Sequence, residues 1–134
     1  MDHGGAVRDW MTRKPVAVQE DSPIGAALAL MRGAEIRHLL VMDGDRLTGI
    51  LSTRDLGRLA GDVSPALLST AVRRIMTEDP VTVAPEAPVT AAARVLLEMK
   101  IGALPVRDGD EIVGIITTAD ALEALLRLVA GSGA

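Results

Sequence analysis

Ser52 stands three residues before Asp55, and Thr117 three residues before Asp120. Each pair follows a Gly-Ile step, in Gly49-Ile50-Leu51-Ser52-Thr53-Arg54-Asp55 and Gly114-Ile115-Ile116-Thr117-Thr118-Ala119-Asp120. A hydroxyl at that distance ahead of a carboxylate has two uses. It builds a capping box, in which the hydroxyl accepts from a first-turn amide and the acidic side chain reaches back to the cap amide. It also builds a small polar site, because a strand running into a helix N-terminus offers N–H groups to phosphate, while a carboxylate accepts both hydrogens of a ribose diol. The same side chain can do both, capping when no ligand is present. Arg37-His38 is the other chemical pair. A guanidinium recognises phosphate in bidentate fashion, and an imidazole adds charge when protonated; as a solvated surface pair, the two do neither.

Other chemistries lack residues. The chain has no Cys, which excludes a disulfide framework, a thiolate metal site and a cysteine nucleophile. His3 and His38 are its two imidazoles, too few for a Ser/His/Asp arrangement or a His-rich metal site, so no catalytic and no metal-binding residue is expected. A formal charge of −4 opposes phosphate-driven binding to nucleic acid. No apolar run reaches membrane-spanning length, and Met1 to Gly5 lacks the basic head of a secretory leader, which predicts a cytoplasmic protein without membrane contact. Hydrophobic residues at 49% against charged residues at 24% predict a packed core. With Trp10 as the sole aromatic side chain, that core is aliphatic, the six Met residues fill its gaps, and Trp10 anchors the N-terminal turn. A bound base would stack mostly on aliphatic groups.

The elements that must position these residues occur twice. At an offset of 65 residues, Val7 to Leu56 aligns with Val72 to Ala121 without a gap. Met11-Thr12 meets Met76-Thr77, Pro15-Val16 meets Pro80-Val81, Pro23 meets Pro88, and Asp43-Gly44-Asp45 meets Asp108-Gly109-Asp110. Such self-similarity marks a duplicated supersecondary unit. In each copy the alternation Val16, Val18 (Val81, Val83) predicts a short strand. The stripe Ile24, Ala27, Leu28, Met31 (Val89, Ala92, Ala93, Leu96) predicts a helix. Ser22-Pro23 supplies a capping hydroxyl and a first-turn proline to the first helix; the second has Ala87-Pro88 and should fray more.

Strands over 39–42 and 47–51 then form a hairpin across Asp43-Gly44-Asp45, repeated at Asp108-Gly109-Asp110. A further helix starts at Ser52 or Thr53, and at Thr117 or Thr118. The unit is β-α-β-β-α. Gly61-Asp62 stops one helix, Ser64-Pro65 starts another, and the divisions are 1–60, a linker at 61–71, and 72–134. Beyond the second copy, Leu122, Leu125, Leu126 and Val129 form a stripe that needs an apolar partner, either the core or a second protomer.

Met-Thr-x-x-Pro-Val, the Asp-Gly hairpin and the closing Gly-Ile-x-Ser/Thr-Thr-x-Asp, in that order and twice, resemble a tandem pair of CBS domains, the cystathionine beta-synthase type repeat or Bateman module. The resemblance covers nearly the whole chain. It implies an α+β fold in which two β-α-β-β-α repeats pack through their sheets by pseudo-two-fold symmetry. It also implies two clefts that take AMP, ADP, ATP or S-adenosylmethionine, and a homodimer that signals metabolite state to a protein partner in trans.

In that family each cleft joins the terminal Asp motif of one repeat to the first strands of the other. Carried over, Thr117 and Asp120 share a cleft with Thr12, Ala17, Arg37, His38 and Leu40. Ser52, Arg54 and Asp55 share the other with Thr77, Thr82, Leu104 and Pro105. Arg37 and His38 meet phosphates in the first cleft, while Gly102-Ala103 offers nothing equivalent in the second. Leu104-Pro105 fits the family's adenine contact better than Leu39-Leu40. Thr12 and Thr77 can equally be plain turn residues. The expected function is a regulatory module for an adenosyl ligand, not an enzyme, with a ligand-free dimerisation or adaptor module as the alternative.

Overall fold

The computed structural model describes residues 5–57 and 64–132. In chain order these form a 3₁₀ turn Val7–Asp9, β1 (Thr12–Arg13), β2 (Ala17–Gln19), α1 (Ile24–Ala34), β3 (His38–Asp43), β4 (Arg46–Ser52), α2 (Thr53–Gly57), α3 (Pro65–Leu68), a second 3₁₀ turn Val72–Arg74, β5 (Thr77–Glu78), α4 (Val89–Met99), β6 (Ala103–Asp108), β7 (Glu111–Thr117) and α5 (Thr118–Ser132). His3 and the helix stop expected at Gly61-Asp62 lie outside the described residues. The fold is α+β, and its packing units run across the boundaries of the sequence repeat. One unit is Val16–Pro80; the other joins Met1–Pro15 to Val81–Ala134.

In Val16–Pro80 the sheet order is β2-β3-β4-β5, with β2 parallel to β3 and the other pairs antiparallel. Its core takes Ile24, Ala27 and Met31 from α1, Leu39 and Val41 from β3, Leu51 from β4 and Val72 from the second 3₁₀ turn. Thus the opening segment of the second repeat completes the first repeat's sheet and core. The other unit mirrors this. Its sheet runs β1-β7-β6, and Val7 joins Val89, Ala92, Leu96, Leu104, Val106, Ile116, Ala121 and Ala124 in its core, with Trp10 packed against them.

Both hairpins turn on two residues, Gly44-Asp45 and Gly109-Asp110, with each glycine at φ +63°, a conformation that glycine adopts without a Cβ penalty. The edge strands explain a second glycine pair. A Cβ on Gly114 would stand 2.8 Å from the Thr12 carbonyl oxygen and 2.6 Å from Met11 Sδ; on Gly49 it would stand 2.8 Å from the Thr77 carbonyl oxygen and 2.5 Å from Met76 Sδ. The Met-Thr strands approach this closely because the Gly-Ile step carries no side chain there.

Three expectations need correction. The strand expected at Val81 and Val83 is reduced to a single bridge from Val83 to Val106. The cause is Pro105: its counterpart Leu40 donates its N–H to the Val16 carbonyl (3.1 Å), a bond that proline cannot make. Next, Ser22 does not cap α1. Pro23 and Pro88 are the N-caps, neither has a side-chain cap bond, and the first helical N–H groups are met by main chain instead. The Ile24 N–H donates to the Thr70 carbonyl (2.8 Å) and that of Val89 to the Gly5 carbonyl, so the two starts are equivalent.

Of the two partners left open for the α5 stripe, the core is excluded: α5 turns Ala121, Ala124 and Leu128 to the core and leaves Leu122, Leu125, Leu126 and Val129 exposed. Finally, the methionines are not uniformly core. Met31 is buried and Met11 and Met76 pack on the cores, but Met99 is exposed.

Candidate functional site

In Val16–Pro80 the chain passes from strand to helix between Ser52 and Thr53. The Ser52 N–H donates to Asp55 Oδ2 (2.8 Å), and the Asp55 N–H donates to Ser52 Oγ (3.1 Å). The Ser52 hydroxyl adds a bond to the same Oδ2 at 3.1 Å. Asp55 is 6% exposed and is the buried charged residue among the described ones. A buried carboxylate is tolerated where charge-assisted donors meet it, as here. In the other unit the Thr117 N–H donates to Asp120 Oδ2 (2.9 Å) and the Asp120 N–H to Thr117 Oγ1 (3.2 Å). Each junction is pinned once more: Thr53 N–H donates to the Arg37 carbonyl and Thr118 N–H to the Gly102 carbonyl, both at 3.0 Å. The capping use of the motif is therefore realised in both copies. Asp120 is half-buried and its Oδ1 receives no hydrogen bond from the described residues.

Strand register decides what stands beside these junctions. Leu39, Val41 and Leu51 enter the core, so their alternating neighbours occupy the opposite face of the sheet. There His38 pairs with Ser52, and a row runs Ala17, Leu40, Ile50, Thr77 across four strands. In the other unit the corresponding row is Thr12, Ile115, Pro105, with Thr117 opposite Ala103. Most residues singled out from sequence thus lie on the core-distal face of one sheet or the other, or in the helical turn that follows it.

Leu104 instead points into its unit's core, and Arg37 and Thr82 lie outside the strands and helices. Leu40 and Pro105 are buried on the core-distal face, Thr82 is half-buried, and Arg37, Arg54, Thr12, Ala17 and Thr77 are exposed. Two row members, Ile50 and Ile115, were not singled out from sequence. Their position after a glycine and before a core residue in Gly-Ile-Leu and Gly-Ile-Ile was the available signal.

Arg37, His38, Ser52, Arg54 and Asp55 gather at one end of the β3–β4 hairpin. His38 is half-buried, and desolvation of the imidazolium holds its pKa below the usual histidine value. The Asp55 carboxylate opposes that shift, while the Arg37 and Arg54 cations add to it. No group of three or more His, Cys, Asp or Glu residues that could hold a metal ion occurs among the described residues. No helix among them is long and apolar enough to cross a membrane.

Known proteins share this fold. The family described as CBS domain matches residues 7–61 and again 72–127. A CBS domain-containing protein of Dictyostelium discoideum is 32% identical over 136 residues, spanning 92% of this chain and 92% of its own. The solved structure of CBSX2 in complex with AMP superposes with a TM-score of 0.77 at 28% identity, over 93% of this chain and 98% of that one. The CBS domain pair of protein MJ0100, solved in complex with 5-methylthioadenosine and S-adenosyl-L-methionine, gives 0.78 at 26% identity over 95% and 97%. Other relatives are longer. The chain is 36% identical to the homoserine O-acetyltransferase of Methanocorpusculum labreanum over 115 residues, but spans only 22% of its length.

Proposed function

The chain belongs to the CBS domain family, as a tandem pair, and from that premise we propose that it is a regulatory module that binds an adenosyl ligand and signals to a protein partner in trans. The observation that carries this reading is the pair of equivalent strand-to-helix junctions, each presenting a Ser/Thr hydroxyl, a carboxylate and first-turn amides beside an uncharged sheet face. Those groups suit a ribose diol and a phosphate. Relatives solved with AMP and with S-adenosyl-L-methionine support the ligand class. The proposed contact set is the one the resemblance implies: Thr12, Ala17, Arg37, His38, Leu40, Thr117 and Asp120 for one ligand, and Ser52, Arg54, Asp55, Thr77, Thr82, Leu104 and Pro105 for another. Leu104 supports its set from the core. Arg37 and His38 favour a phosphorylated ligand for the first set. The module acts as a cytoplasmic homodimer without catalysis of its own.

A second reading, a ligand-free dimerisation or adaptor module, draws on the capping bonds that already engage both carboxylates and on the exposed stripe of α5.

Thermal unfolding followed by Trp10 emission separates the two readings. With AMP, ADP, ATP, S-adenosylmethionine or GTP each at millimolar concentration, a ligand at 100 times its Kd adds about 2.7 kcal/mol, several degrees for a chain of this size. The expected result is a shift confined to adenosyl ligands and abolished by Asp120→Ala, which leaves the fold intact. Because that variant also loses a cap contributing about 1 kcal/mol, the ligand-dependent increment is compared, not the melting temperature itself. No increment with any nucleotide would leave the adaptor reading standing.

A further inference from the structure

We infer that the two junctions fill in a fixed order, a ribose diol taking Asp120 first and Asp55 only at ligand concentrations about tenfold higher or more. This rests on the adenosyl-ligand reading above and adds to it a response in two steps of concentration. A carboxylate accepts a diol with the lone pairs that other donors leave open. Asp120 leaves more of them. Its Oδ2 receives one bond, from the Thr117 N–H (2.9 Å), and its Oδ1 receives none from the described residues. Asp55 Oδ2 receives two, from the Ser52 N–H (2.8 Å) and the Ser52 hydroxyl (3.1 Å). The hydroxyls differ in the same sense. Thr117 Oγ1 accepts from the Asp120 N–H (3.2 Å) and gives its own proton to no described residue, so that proton is available to a ligand. Ser52 Oγ accepts likewise from the Asp55 N–H, but its proton is engaged by Asp55.

Access follows the same order. Asp55 is 6% exposed, whereas Asp120 is half-buried. The sequence supplies the cause. Arg37, His38 and Arg54 gather with Asp55, close enough for His38 to feel the charge of the other three. The positions 65 residues on are Gly102, Ala103 and Ala119, which bring nothing larger than a methyl group. A diol reaching Asp55 must displace the Ser52 hydroxyl and part those longer side chains, and the loss of one bond to a charged acceptor lowers affinity by about tenfold or more. The nearby cations do not reverse the order for a phosphorylated ligand. Arg37 and Arg54 are exposed, so solvent screens their attraction, and the Asp55 carboxylate opposes it.

Amide NMR of the isotope-labelled chain, titrated with S-adenosylmethionine and separately with AMP, reads both junctions at once. The Thr117 and Asp120 resonances should shift first. Those of Ser52 and Asp55 should follow with a midpoint about tenfold higher or more, or stay still throughout. Asp120→Asn should raise the first midpoint by about tenfold or more; should that variant fail to fold, the order seen in the wild type decides alone. Coincident midpoints, a first midpoint unmoved by Asp120→Asn, or Ser52 and Asp55 shifting first with either ligand would overturn the order and leave the adenosyl reading standing. No shift at either junction with either ligand would overturn that reading, and the order with it.

Discussion

His38 faces opposing influences at the end of β3: desolvation, Arg37 and Arg54 disfavour its imidazolium, while the Asp55 carboxylate favours it. Because the folded pKa lies below the unfolded value of about 6.5, the unfolded chain takes up the proton first. The stability held by neutral His38 is therefore complete above that value and lost as pH falls through it toward the folded pKa. Denaturation of wild type and His38→Gln between pH 7.5 and pH 5 should show the wild type losing more stability on the acid side; parallel curves would exclude the linkage. A phosphorylated ligand prefers the imidazolium, so the AMP affinity of the wild type relative to that of the variant should rise over the same descent, the phosphate's own titration near pH 6 being common to both. The Ser52/Asp55 and Thr117/Asp120 pairs were legible in the sequence because a capping box is local, three residues from end to end. The environment of His38 was not, since it depends on the β3–β4 register that sets His38 opposite Ser52. Nor was the role of Gly114, whose missing side chain makes room for Met11 and Thr12 about a hundred residues earlier in the chain.

Element by element, periodicity located α1, α4, the two hairpins and the junction helices, because each buries a regular set of side chains. What it misjudged were the places where main chain competes with side chain. Ser22 reads as a cap, yet the Thr70 carbonyl reaches the Ile24 N–H and leaves the hydroxyl no task at the helix start. Val81 and Val83 alternate as a strand does, yet Pro105 on the facing strand lacks the N–H that would pair with Val81. The helix ends hold a further departure. Both α1 and α4 close on a non-glycine residue in the left-handed region, Glu35 and Lys100, each at φ 56°. That conformation costs an ordinary residue about 1–2 kcal/mol, and glycine gives back only part of the gain through its unfolded-state entropy. Glu35→Gly should accordingly stabilise the chain by roughly 0.5–1 kcal/mol, read as a higher urea midpoint at unchanged slope. A lower midpoint would mean that the Glu35 side chain contributes more than its backbone costs.

For the whole molecule, the repeat is the unit of sequence and the exchanged segment is the unit of packing. The residues that complete the first repeat lie after it: β5 pairs with β4 at Gly49 and Ile50, Val72 is fully buried in the core, and the Arg73 guanidinium pairs with Asp21. A fragment cut at the repeat boundary, 1–60, forfeits all of these and retains Val7 and Trp10, whose packing partners are in the second repeat. Burying Val72 alone contributes about 1.5–3 kcal/mol, a large share of the few kcal/mol that a chain of some 60 residues can hold. The segment 16–80 keeps its four-stranded sheet, the core around Ile24, Leu39 and Leu51, and the main-chain bond from Ile24 to Thr70. Expressed separately, 16–80 should give dispersed amide resonances and a cooperative urea transition, and 1–60 neither. If 1–60 folds as well as 16–80 does, the exchanged segments contribute little to stability, and the repeat is a folding unit as well as a sequence unit.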